Sequence, residues 1–209
     1  MATALRIALS SESLGPELIA DVCRQLRVTP AEYRTLFRST DDLMDVVNAQ
    51  LVEECARRLA RVVTDFSVPA DALEAMAAAA RMLASARPLD RGSILIRAER
   101  RLQSLRSAHT GEAVVHAERE FQLAVEETLV ALMDKLGRPF VWEPRLAVRV
   151  VLDTYERSFE SWLLRGGSEA DFVASSFVHT TLPHLLEELS TRRPAEDPAR
   201  TEKQSTGFV

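Results

Sequence analysis

The chain has 209 residues, 46% of them hydrophobic, and a formal net charge of −5. That length holds one domain, or one small and one larger, and the composition is that of an ordinary globular protein. No apolar run approaches bilayer length, the N-terminus lacks the basic and apolar runs of a signal peptide, and a net-acidic chain has no general attraction for polyanions. A cytoplasmic protein is therefore expected. The two cysteines, Cys23 and Cys55, each fall on or beside an apolar helical stripe and read as reduced core thiols.

The first element with a clear pattern lies between Gly15 and Met44. Leu18, Ile19, Val22 and Leu26 recur on one helical face. After a break at Arg27-Val28-Thr29, Thr29 can cap a short second helix, with Pro30 at its first position, where a missing N–H costs nothing. Tyr33, Leu36 and Phe37 are expected on its inner side. Ser39 or Thr40 then caps a long helix whose first turn carries Asp41 and Asp42, favourable for the helix dipole. Short amphipathic helices joined by tight turns have the size and shape of a DNA-reading unit.

These thirty or so residues resemble the helix-turn-helix head of the TetR (tetracycline-repressor-like) transcriptional regulators. The residues that carry the resemblance are Asp21-Val22, Val28-Thr29-Pro30-Ala31, Phe37 and Ser39 with Leu43. The resemblance implies an all-α fold, a DNA-binding head at residues 1–45 and a ligand-binding and dimerisation domain at 46–190. It implies operator contacts from Arg27, Thr29, Pro30, Ala31, Tyr33, Arg34, Arg38 and Thr40. Arg27 stands where the family usually has glycine, so this turn must hold a side chain. Arg34 stands in place of a phosphate-contacting tyrosine, and Thr40 in place of a lysine. Residues 1–45 carry five arginines against seven carboxylates, a net −2. Since phosphate neutralisation supplies most DNA affinity, operator binding requires the arginines to share a face from which the carboxylates turn away.

The remaining elements all read as helix, about nine in total. The long helix from Thr40 to about Phe66 carries Leu43, Val47, Leu51, Cys55, Leu59 and Val63 at four-residue steps. An alanine-rich helix runs from Pro69 to about Ala86 and ends before Pro88. The segment from Arg87 to Arg106 has six arginines against two carboxylates, a local +4. It reads as a solvated face pairing with the acidic tails of neighbouring helices, or as a recognition site for an anionic ligand such as a phosphate-bearing acyl carrier. Further helices span Gly111 to Leu136, Glu143 to Arg165, and Ser168 to Ser190 with a kink near Pro183. The tail 191–209 is polar and proline-bearing and is expected to be disordered.

The larger domain suggests two sites. By the resemblance, an effector pocket for a hydrophobic or amphipathic small molecule would be framed by Met76, Met82, Leu95, Phe121, Val125 and Met133. The helices 143–165 and 168–190 would form a homodimer interface, although their aromatics Tyr155, Phe159, Trp162, Phe172 and Phe177 serve equally as monomer core. His116, Glu112 and Glu120 form one helical row, read as a solvated polar face rather than a metal site. No nucleophile motif appears, so no enzyme, catalytic residue, metal or cofactor is assigned. The reading is a ligand-responsive dimeric regulator, most simply a repressor on a palindromic operator. The alternative is a ligand-binding or protein-interaction module of the same fold that has lost DNA binding.

Overall fold

The computed structural model describes residues 16–106 and 111–191; residues 192–209, almost all of the expected tail, lie outside that range. The described residues form an all-α protein with eight α-helices: α1 (Pro16–Leu26), α2 (Pro30–Leu36), α3 (Thr40–Asp65), α4 (Ala72–Ser85), α5 (Arg91–Arg106), α6 (Gly111–Lys135), α7 (Pro144–Leu164) and α8 (Leu182–Glu188). None is long and apolar enough to cross a membrane. Strand pairing among the described residues is limited to one antiparallel bridge between Phe140 and Ser190.

Helix boundaries follow local chemistry. Thr29 and Glu32 form a reciprocal capping box at the start of α2: the Glu32 N–H donates to Thr29 Oγ1 at 3.2 Å, and the Thr29 N–H to Glu32 Oε2 at 2.7 Å. Ser39 caps α3 by accepting from the Asp42 N–H at 3.1 Å. Gly137, at φ +63°, ends α6 while the Arg138 N–H returns to the Met133 carbonyl at 2.9 Å. Gly167 follows α7 where a Cβ would meet the Trp162 ring at 2.3 Å, so only glycine fits that approach.

Two hydrophobic clusters sit along α3. The smaller joins Val22 and Cys23 of α1, Tyr33 of α2, Phe37, and Leu43, Met44, Val47 and Leu51 of α3, with Ile96 of α5 inserted from the larger part. The larger begins at Cys55 and Leu59 on the same helix and extends through α4, α6, α7 and α8. Both cysteines are buried and free. The small core thus reaches well past Asp45, and one rigid helix serves both.

One sequence expectation needs correction, and one open alternative is decided. The last long helix is broken: a 3-10 turn at Asp171–Ala174 and a π-helical turn at Phe177–Thr181 precede α8. Ser168, expected as the helix cap, lies ahead of the 3-10 turn, whose N-cap position is Ala170; its Oγ accepts from the Asp171 N–H at 3.2 Å. Pro183 lacks an N–H and its ring cannot sit against the carbonyl four residues back, and widening the turn ahead of it relieves both problems. Of the two roles open to the aromatics, interface or monomer core, the structure shows the core. Tyr155, Phe159, Phe172 and Phe177 are buried and meet ring to ring at 4.8–6.5 Å, with half-buried Trp162 against Phe172 at 6.1 Å.

Candidate nucleic-acid interface and its attachment to the body

The side chains of α2 divide between core and surface. Tyr33 is buried, its ring 5.3 Å from that of Phe37. Burial raises its phenol pKa, and the hydroxyl has no hydrogen-bond partner. Tyr33 was an expected DNA contact; it instead fills the small core, because the helix needs one large ring there to seat on α1 and α3. Leu36, expected inside, is 68% exposed. A seven-residue helix has room for only one inward row, and Tyr33 with Phe37 occupies it.

Arg27, Thr29, Pro30, Ala31, Arg34 and Arg38 are exposed, and Thr40 is half-buried. Arg27 sits at φ +56°, the left-handed region that glycine enters freely and an L side chain enters at a cost of about 1 kcal/mol. The five carboxylates of the segment whose side chains the structure describes are engaged. Asp21 pairs with Arg24 at 2.8 Å. Glu32 is held by Thr29, whose backbone and side-chain hydrogen bonds lower its pKa. Asp42 accepts from the Arg38 N–H at 2.9 Å. Asp41 and Asp45 face Arg100 of α5. Among the described residues, Arg27, Arg34 and Arg38 have no ion-pair partner.

The arginines of α5 fasten this head to the rest of the molecule. Arg100 is fully buried between α5 and the first turns of α3. Its Nη2 donates to Asp45, its Nη1 donates to Gln103 at 2.9 Å and lies 3.6 Å from Asp41, and its Nε is unpartnered. Burial lowers its pKa, with Asp41 opposing. Arg97, one turn earlier, points into the body. Its Nε and Nη2 donate to the two oxygens of Glu118 at 2.9 and 2.8 Å, and its Nη1 reaches Glu156 at 3.4 Å. Its guanidinium lies 4.4 Å over the Phe121 ring. Arg101 adds contacts to Glu118 and Glu156 at 3.3 and 3.4 Å. Burial works against charge here, but Glu118 outweighs it and raises Arg97. Burial likewise pushes Glu118 up, and Arg97 and Arg101 outweigh that, holding its carboxyl below the usual range. The expected pairing with acidic residues of neighbouring helices is thus present, with carboxylates from α3, α6 and α7, although Arg97 and Arg100 are buried rather than solvated, and these three arginines form no open anion site.

The expected effector pocket is not formed by the six residues assigned to it. Met76, Phe121, Val125 and Met133 are buried in the larger core, Met82 is half-buried, and Leu95 is 52% exposed. A small cavity touching Phe121, beside Cys55 and Arg97, has a volume of about 20 Å³, enough for about one water. Leu95 fails because Ile96 and Arg97 take the inward positions of α5. His116 and Glu120 instead line an open trough between α3 and α6, of about 640 Å³. No group of three or more metal-binding side chains assembles among the described residues.

No family model matches the chain, and no curated protein sequence does. Among solved structures, the fold is similar to that of a transcriptional regulator, FadR from Bacillus subtilis, in complex with stearoyl-CoA, at a TM-score of 0.61 and 13% sequence identity. The similarity covers 91% of this chain and 97% of that one. At that identity the likeness concerns the fold.

Proposed function

We propose that this protein is a dimeric, ligand-responsive transcriptional regulator of the TetR kind, acting as a repressor on a palindromic operator. The observation that carries the reading is the state of the head's charges. Arg27, Arg34 and Arg38 are exposed and unpaired, while Asp21, Asp41 and Asp45 face arginines of their own and Glu32 and Asp42 are held in place at helix starts. A head with a net-acidic sequence can thus present a cationic face to phosphate. The α2 helix enters the major groove, with Arg34 and Arg38 on phosphates or base edges and Thr29, Pro30 and Ala31 at its leading end. Thr40 lies beside the backbone at the start of α3. The fold shared with a regulator that binds stearoyl-CoA favours an amphipathic effector.

Two heads must be held at a fixed spacing to engage two half-sites. Polar faces of α7 and the last helical segment, with exposed Leu146 and Leu164 at 52% and 88%, supply the dimer surface. Between these elements lies a trench of about 690 Å³ edged by Arg157, Trp162 and Thr181. Selection of genomic fragments by the purified protein, followed by fluorescence anisotropy, tests operator binding. Arg34→Ala should weaken the selected operator at least tenfold, and light scattering should give a dimer mass. Unchanged affinity in the variant, or a monomer at micromolar concentration, refutes the corresponding part.

A second reading, a protein-interaction module, is favoured by one observation: Leu36, 68% exposed on the same helix, is an apolar contact suited to a protein groove. Failure to select any DNA fragment makes this reading the better one.

A further inference from the structure

We infer that the trough between α3 and α6 binds a small organic cation with an apolar body, and that such a ligand acts on the head through Asp45. The inference deepens the proposed function and relies on it only for the effect on DNA.

The trough follows from two facing rows. Asp45, Ala49, Val52, Glu53 and Ala56 recur at helical spacing along α3; Ala113, Ala117, Glu120, Ala124 and Glu127 do so along α6. These two helices form the most extensive helix pair among the described elements. Where alanines face each other the seam has no side chains tall enough to fill the space above it, and about 640 Å³ stays open. That volume is within the usual range of small-molecule sites. Val46, Val52 and Leu123 supply apolar walls.

Apart from the imidazole of His116, the ionisable groups along the trough are the carboxylates Asp45, Glu53, Glu120 and Glu127. No lysine or arginine lines it among the described residues. Glu120 and Glu127, two turns apart on α6, have no hydrogen-bond or ion-pair partner there. Glu53 has only a long contact to Arg57, at 3.9 Å. Carboxylates beside low-dielectric walls focus a negative potential, which attracts a cation and repels an anion. A neutral apolar ligand would strip water from Glu120 and Glu127 without replacing it. An alkylammonium satisfies both the walls and the charges.

Asp45 connects the trough to the head. It lines the head end of the trough and also accepts from the buried Arg100 that fixes the first turns of α3 against α5. A cation drawing on Asp45 weakens that attachment and frees the head to change its angle on the body. The consequence is loss of simultaneous engagement of two half-sites.

The test uses the full chain and isothermal titration calorimetry with decyltrimethylammonium below its micelle concentration, with decanoate as the matched anion. The cation should bind once per chain and at least tenfold more tightly than decanoate. Glu120→Gln with Glu127→Gln should weaken the cation at least tenfold without lowering the melting temperature, and Ala117→Trp should abolish binding by filling the floor. Equal binding of cation and anion, or cation affinity untouched in the double variant, overturns the site. A change of oligomeric mass in Ala117→Trp with no cation binding to the wild type assigns the trough to a second copy and also overturns it. Operator anisotropy is measured separately, with and without the cation. Cation binding without any operator binding removes the proposed function and leaves the site, whereas operator binding without cation binding does the reverse.

Discussion

Replacing Arg97 with methionine isolates the charge at the centre of the α5 attachment. Methionine keeps the apolar stem and removes the guanidinium. Glu118 and Glu156, whose side chains are 19% and 17% exposed, then lose the donor that bridged them. Removing one partner of a buried pair costs about 3–5 kcal/mol, most of it from the charge left behind. Arg101 still reaches both carboxylates, but its side chain is 46% exposed and solvent screens most of its help. The lower end, about 3 kcal/mol, is therefore expected, including the lost contact with Phe121. At about 2–4 °C per kcal/mol for a chain of this size, the melting temperature should fall by about 6–12 °C. Thermal unfolding followed by circular dichroism at pH 7 gives the value. The Arg97→Met/Glu118→Gln double variant should be more stable than Arg97→Met alone, because it removes part of the uncompensated charge. A single variant within 1 kcal/mol of wild type, or a double variant whose losses simply add, refutes the assignment of this pair as buried and coupled.

The remaining predictions concern the head and the acid response. Arg27→Gly should raise stability by about 1 kcal/mol, since the turn already lies at φ +56°; an unchanged or lower melting temperature would show that the turn is unstrained. Glu118 is held below its ordinary value of 4.5 in the folded chain. Its stabilising contribution is thus complete above pH 4.5 and lost as pH falls through the depressed value. Glu118→Gln should accordingly be less stable than wild type at pH 7, with the difference shrinking below pH 4.5 in acid-titrated melts; a pH-independent difference contradicts this. Thr40→Lys adds a cation near the N-terminus of α3, where helix N–H groups already favour phosphate. It should tighten operator binding and steepen the logarithmic salt dependence by about one contact, as measured by anisotropy across a salt series. An unchanged slope places Thr40 away from the DNA.

Where the decisive interactions are local, the amino-acid sequence alone determined the outcome. The Thr29 cap with Pro30 behind it, Ser39 at the start of α3, glycine after α6 and the α3 stripe from Leu43 to Leu59 follow from residue order along one helix or turn; past Leu59 the 3.6-residue period buries Val62 in place of the expected Val63. The positive φ at Arg27 belongs here too, since a turn that takes glycine elsewhere imposes the same backbone on whatever residue occupies it. Tertiary structure decided the rest. Only seven residues form α2, too few for periodicity to show that Tyr33 and Phe37 turn inward and Leu36 does not; packing against α1 and α3 made that choice. The arginines of α5 were visible as local charge, but their partners lie 21, 55 and 59 residues away, and spacing along a chain carries no information about which distant helix arrives opposite. The pocket residues failed for the same reason: methionines that fill a core and methionines that line a cavity are the same sequence until neighbouring helices fix the space between them. The trough is the reverse case, since its two alanine rows are ordinary helix surface separately and enclose a site only because α3 and α6 lie side by side.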